Sequence, residues 1–258
     1  MMTDVADFKH PEFLVSADWL LENLEDPNLR IYDCTAHLIP HPTETYTIGS
    51  GKGDYEKAHI PGADFLDLQQ ELSNNTSKLR FTFPSAEHFS KAIGAHGLSN
   101  DNQAILYSTT SPQWATRIWW MLRAFGFDNA KVLDGGLIRW VQKGYPTSTI
   151  PSTYPEQSFT AKPRPGLIIQ KSEVLEGIHE SNTCIINALS QEQHRGVGGR
   201  TYGRPGRIKD SENVPTTELI DPETNEFYPA AVIAERFASV GTQSSDRVLT
   251  YCGGGIAA

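Results

Sequence analysis

Short apolar runs alternate with amphipathic stretches along most of the chain. Leu29-Arg30-Ile31-Tyr32-Asp33, Ala104-Ile105-Leu106-Tyr107-Ser108 and Lys131-Val132-Leu133-Asp134 read as brief strands that end in a polar residue. Cys184-Ile185-Ile186-Asn187 and Val248-Leu249-Thr250-Tyr251 read the same way. Helical cues lie between them. Ser16 is placed to cap a helix over residues 17–24, in which Leu20 and Leu21 share a face with Leu24. Residues 114–125 continue the helical pattern, and residues 171–178 open much as the first helix does. Strands alternating with helices predict an α/β fold whose parallel sheets are flanked by helices.

Three of these landmarks occur twice in the same order. The strand at 29–33 answers to the strand at 184–187. His59-Ile60-Pro61-Gly62-Ala63-Asp64 answers to Arg207-Ile208-Lys209-Asp210-Ser211-Glu212, and Tyr107-Ser108 answers to Tyr251-Cys252. A duplicated domain is the expectation. Between the copies, Pro146, Pro151, Pro155, Pro163 and Pro165 punctuate an apolar-poor stretch that reads as a linker. The expected division is 1–148, a linker at 149–166, and 167–258. After Ser108 the first copy runs on through a helix, a strand and a closing helix with Trp140, whereas only a short stretch follows Cys252. The second domain is therefore expected to be C-terminally truncated.

Composition narrows the classes. The chain has 258 residues, 38% of them hydrophobic and 21% charged, which fits a folded globular protein and excludes a disordered or collagen-like one. Lys and Arg number 22 against 31 Asp and Glu, a net charge of −9 that argues against nucleic acid as a partner. No apolar run approaches the roughly 18–20 residues that span a membrane. The start, Met1-Met2-Thr3-Asp4-Val5-Ala6-Asp7, has no basic or apolar segment of a signal peptide. Three cysteines, Cys34, Cys184 and Cys252, are too few for a disulfide framework, so a reducing cytoplasm is expected. No Cys or His spacing suggests a metal. His37, Pro40 and His41 read as loop, His59 as a turn-bonding histidine, Trp114, Trp119, Trp120 and Trp140 as core, and Cys34 and Cys184 as buried thiols.

Cys252 is the candidate nucleophile. It follows an apolar strand and precedes Gly253-Gly254-Gly255-Ile256-Ala257. Glycines let backbone N–H groups converge into an anion-binding nest, and a following helix would add positive potential there. Such surroundings favour the thiolate. An anion-sized exception to the acidic balance lies upstream. Arg195, Arg200, Arg204, Arg207 and Lys209 come with no acid among them before Asp210, interleaved with Gly196, Gly198, Gly199, Gly203 and Gly206. Arginine forks suit sulfonate or carboxylate oxygens.

Two unequal repeats, His59-Ile60-Pro61-Gly62-Ala63, Val132-Leu133-Asp134-Gly135-Gly136 with Trp140 following, and a lone loop cysteine resemble the tandem rhodanese-type sulfurtransferases. The resemblance implies two rhodanese-like domains, the first catalytically silent, with Ser108 at the position of Cys252. It implies that Cys252 takes a sulfane sulfur from thiosulfate or 3-mercaptopyruvate as a persulfide and passes it to cyanide or a thiol. The loop N–H groups from Gly253 to Ala257 would hold the persulfide charge, and no cofactor or metal is needed. The family's substrate arginines match Arg195 best, then Arg204 or Arg207. The small neutral loop is closer to the mercaptopyruvate-preferring type, and the donor, like the oligomeric state, stays open. Lys209-Asp210 departs from the Pro-Gly of the family pattern, which puts the local turn in doubt. A related cysteine phosphatase needs Cys-x5-Arg, but Ala258 stands at the arginine position. A non-catalytic rhodanese module for partner binding or redox sensing is the remaining alternative.

Overall fold

Parallel strands need long crossovers, and the chain supplies most of them as helices. The computed structural model describes residues 7–42, 46–199, 201–242 and 247–258. In chain order its first half holds β1 (Leu14–Val15), α1 (Ala17–Glu22), β2 (Leu29–Asp33), β3 (Ala36–Pro40), β4 (Tyr46–Ser50), α2 (Lys52–Tyr55), β5 (Asp64–Phe65), α3 (Ala86–Ala95), β6 (Gln103–Tyr107), α4 (Gln113–Ala124), β7 (Ala130–Leu133) and α5 (Gly136–Gln142). The second holds α6 (Lys171–Gly177), β8 (Thr183–Asn187), α7 (Gln191–Arg195), β9 (Glu212–Asn213), α8 (Ala230–Ala238) and β10 (Arg247–Tyr251).

A five-stranded parallel sheet in the order β1-β7-β6-β2-β5 organises the first half. Its strands are apolar on both faces because both faces are covered. Along β6, Ala104 and Leu106 join a core with Phe89 and Ile93 of α3 and Ile118 of α4. Ile105 and Tyr107 join a core on the other side with Leu20 of α1 and Leu137 and Trp140 of α5. That alternation is the period of two of an extended strand. Burying each such side chain contributes roughly 1.5–3 kcal/mol. Local chemistry sets the helix starts. Ser16 Oγ accepts from Trp19 N at 3.2 Å, and Ser85 Oγ accepts from His88 N at 3.1 Å.

A three-stranded parallel sheet, β10-β8-β9, lies in the second half. Its order matches β6-β2-β5. The matched tyrosines do the same job: Tyr107 Oη accepts from Ile60 N at 3.2 Å, and Tyr251 Oη accepts from Ile208 N at 3.0 Å. The turn after Ile208 keeps its shape without glycine. Asp210 stands at φ +57, beside +82 for Gly62 in the matching turn, because a short polar side chain tolerates the left-handed region.

Some expectations need correction. His37 and Pro40, read with His41 as loop, lie in β3 of an antiparallel hairpin with β4, and His37 Nε2 lies 2.7 Å from Asp54 Oδ2. Pairing with β4, close by in sequence, makes that strand. Trp114 and Trp140 are buried, but Trp120 is exposed, its indole N–H donating to Leu167 O at 3.0 Å. Cys34 is buried, while Cys184 is only half-buried. The proline-rich stretch is no loose tether. Phe159 is buried in the first core, and Gln157 N, Lys162 N and Arg164 N donate to Gly94 O, Phe125 O and Ala124 O at 2.9, 2.7 and 2.7 Å.

The second half also grips the first through residues 221–227. Arg139 Nε lies 3.0 Å from Glu226 Oε1, Asn225 Nδ2 donates to Thr110 O at 2.7 Å, and Phe227 N donates to Asp134 Oδ1 at 2.8 Å. Burial pushes the Asp134 carboxyl up from 3.8 to about 7, although the Phe227 N–H favours its charged form. For His96, burial disfavours the charge, but its hydrogen bonds to Asp64 at 2.7 Å and Glu71 at 3.2 Å win and raise it from 6.5 to about 9.

Both groups make the fold weaker in alkali. Asp134 keeps its proton in the folded chain after the unfolded chain has lost it, so stability falls as pH rises from about 4 to about 7. The His96 contribution is complete below about 6.5 and is lost as pH rises through about 9. Thermal melts are expected to show Tm falling between about pH 5 and about pH 9. Asp134→Asn, whose amide oxygen still accepts from Phe227 N, is expected to flatten the part below neutral pH. Separately, Asp210→Gly is expected to stabilise the chain by up to about 1 kcal/mol, read in the same melts, because it relieves the left-handed strain.

Candidate active site

β10 runs parallel to β8, and Cys252 is the first residue beyond its carboxyl end, the edge of an open α/β sheet where ligand crevices form. The chain then turns rather than continuing as a helix, since residues 253–258 carry no helical element. The turn brings one N–H back to the thiol: Gly255 N donates to Cys252 Sγ at 3.1 Å, with Gly255 at φ +74. Gly253 has no room for a side chain, because an added Cβ would stand 2.2 Å from the Tyr202 ring. An added Cβ on Gly254 would stand 3.1 Å from the Tyr46 hydroxyl. The glycine run thus serves close approach as well as turning.

Ile256 anchors the loop. It is 6% exposed and belongs to the first-half core that also holds Tyr46, Phe81 and Trp114. Arg117 of α4 supports the neighbouring residue, with Nη1 donating to Gly255 O at 3.1 Å and Nη2 to Phe81 O at 3.0 Å. Tyr46, Phe81 and Arg117 were not among the residues singled out from the sequence. They lie more than a hundred positions from Cys252, and no local pattern links them to it.

A cavity of about 550 Å³ opens beside Cys252 and Gly253, with Arg204, Arg207, Lys209 and Lys171 in its lining. The basic segment is brought there by Tyr251, the residue before the cysteine. Its hydroxyl holds Ile208 N at 3.0 Å and lies 2.8 Å from Ser211 Oγ. Arg195 is placed differently from the expectation. It ends α7 on the exposed side, with Nη2 3.5 Å from Gln191 Oε1, and does not line the cavity. Arg200 lies outside the described residues. Ala257 and Ile256 line a smaller cavity of about 210 Å³ that also reaches Cys252. Ser108, at the matching point of the first half, is buried and donates its hydroxyl to Ser111 O at 2.6 Å.

A thiol at the head of a glycine nest, facing an arginine-lined cavity, suits nucleophilic attack on a small anion. The rhodanese-like domain family matches residues 16–143. The 3-mercaptopyruvate sulfurtransferase of Escherichia coli K12 is 31% identical over 95% of this chain and 85% of its own length. The Arabidopsis thaliana thiosulfate/3-mercaptopyruvate sulfurtransferase 2 is 30% identical over 96% and 77%. The crystal structure of SseA from Escherichia coli superposes with a TM-score of 0.80 at 29% identity, covering 95% of this chain and 90% of that one. The chain belongs to the family of rhodanese-type sulfurtransferases and is an enzyme of that class.

Proposed function

We propose that the chain transfers a sulfane sulfur from thiosulfate or 3-mercaptopyruvate to cyanide or a thiol, by way of a persulfide on Cys252. The observation that carries this reading is Cys252 Sγ, held by the Gly255 N–H at 3.1 Å and open to a cavity lined by Arg204 and Arg207. The thiolate attacks the outer sulfur of the donor and forms an S–S bond. With thiosulfate, the donor S–S bond breaks and sulfite leaves with the electron pair. With mercaptopyruvate, the C–S bond breaks, the pair passes to carbon as an enolate, and a proton completes pyruvate. The acceptor then attacks the terminal sulfur, and the Cys252 thiolate is released. No cofactor enters the balance.

Arg204 and Arg207 are the donor-binding groups in this reading, ahead of Arg195. The loop from Gly253 to Ala257 cradles the persulfide. The domain division at 1–148, 149–166 and 167–258 is retained, and the shared order of β6-β2-β5 and β10-β8-β9 supports it. The first domain, with Ser108 in place of the cysteine, is silent. Three free cysteines support a reducing, cytoplasmic setting, and among the described residues no helix is long and apolar enough to cross a membrane.

Incubation with thiosulfate or mercaptopyruvate is expected to add the mass of one sulfur to Cys252, detected by peptide mass spectrometry and removed by cyanide. Cys252→Ala is expected to abolish both adduct and turnover. An unmodified Cys252 after both donors would favour a non-catalytic module instead. Arg204→Ala and Arg207→Ala are each expected to raise the donor KM by roughly fivefold, about 1 kcal/mol, a modest figure because both side chains are exposed. Arg195→Ala is expected to leave it unchanged in the same steady-state assay.

A further inference from the structure

Arg117 is a half-buried cation contributed by the first half, with its Nε atom enclosed. It contacts the loop directly through Gly255 O at 3.1 Å, and it holds a second carbonyl, Phe81 O, at 3.0 Å. Phe81 presents that carbonyl from φ +56, a conformation that a bulky side chain adopts only when its surroundings impose it. The Arg117 Nε is buried without a hydrogen-bond partner. Among the described residues no carboxylate pairs with this guanidinium. Burial lowers its basicity to about 10, and the charge that opposes this is that of Cys252.

We propose that Arg117 is a positioning residue for the Cys252 loop and a counter-charge for the anionic sulfur at that position. Gly255 is held from two sides. Its N–H points at Cys252 Sγ at 3.1 Å, while its C=O is fixed by Arg117. Fixing the carbonyl of a glycine at φ +74 fixes where its N–H aims. The planar fork is suited to the task, because it reaches two carbonyls at once where an ammonium reaches one.

Other charges face Cys252. Tyr46 comes from β4, and Lys171, Arg204, Arg207 and Lys209 line the cavity. These four cations are exposed and screened by salt, whereas the Arg117 guanidinium, half-buried with its Nε enclosed, is screened less. Arg80, also half-buried, and Lys78 line the cavity on the other side of the loop, so substitution at Arg117 isolates one contribution to the field at the sulfur. This role rests on Cys252 being the nucleophile, but its charge part is tested without a sulfur donor.

The test compares alkylation of Cys252 by neutral iodoacetamide and anionic iodoacetate, at high salt, in the full chain. In Arg117→Met the iodoacetate rate is expected to fall roughly tenfold, and the iodoacetamide rate severalfold less. Arg117→Lys keeps the charge but not the fork. It is expected to restore the ratio of the two rates while kcat stays low at an unchanged KM. Far-UV circular dichroism checks folding, and Arg117→Gln replaces the Met variant if that one does not fold. An unchanged rate ratio in the folded neutral variant overturns the proposal. It would leave the persulfide reading intact, because the sulfur adduct on wild-type Cys252 is measured independently.

Discussion

Ile256 is buried among Tyr46, Phe81 and Trp114, side chains drawn from β4, from the segment before α3 and from α4. The residue on one side of it, Gly255, is held by Arg117, and its N–H reaches Cys252. Burial of one isoleucine contributes roughly 1.5–3 kcal/mol, enough to hold a short glycine-rich segment that has little preference of its own. The site depends on this anchor. Without it, residues 253–255 have few restraints and the Gly255 N–H has less to hold it on the sulfur.

The anchor also shows what the first half contributes to the Cys252 loop. Its five-stranded sheet is covered on both faces by buried apolar clusters. It supplies a rigid wall against which the end of β10 is shaped. Preorganised donors act without reorganising during the reaction, which is the main way a protein stabilises developing anionic charge. The linker, packed by Phe159 and its backbone hydrogen bonds, and the contacts from Asn225, Glu226 and Phe227 keep the two halves in one register. The interface therefore belongs to the catalytic apparatus as much as to the fold.

The second half contributes the chemistry and the charge. Tyr251 links them in one residue: its backbone ends β10 just before Cys252, and its hydroxyl holds the segment that carries Arg204 and Arg207. Tyr107 makes the equivalent bond to Ile60 in the first half, but there it ends beside Ser108, whose hydroxyl is turned inward to Ser111 O. One framework thus carries a thiol beside a cavity in one copy and a self-satisfied hydroxyl in the other.

Much of this was legible along the chain. Apolar runs marked β2 and β6, because strands buried on both faces must be apolar throughout, and marked β8 and β10 by the same pattern, although of β10 only Leu249 is buried. Ser16 marked the start of α1, because capping is a local interaction. Cys252 with its glycines, and the arginine cluster, marked the chemistry, because nucleophile and anion site are short motifs. Other features were invisible. The β3–β4 hairpin, the exposure of Trp120, and the presence of Arg204 and Arg207 but not Arg195 in the cavity wall depend on pairing and packing. Tyr46, Phe81 and Arg117 reach the loop through folding alone. Sequence by itself marked most of the buried strands and the Cys252 sulfur that heads the glycine run, since propensity, period and composition are properties of neighbouring residues. Only the tertiary structure decided which distant side chains surround that atom, because burial and charge at a point are sums over everything packed there.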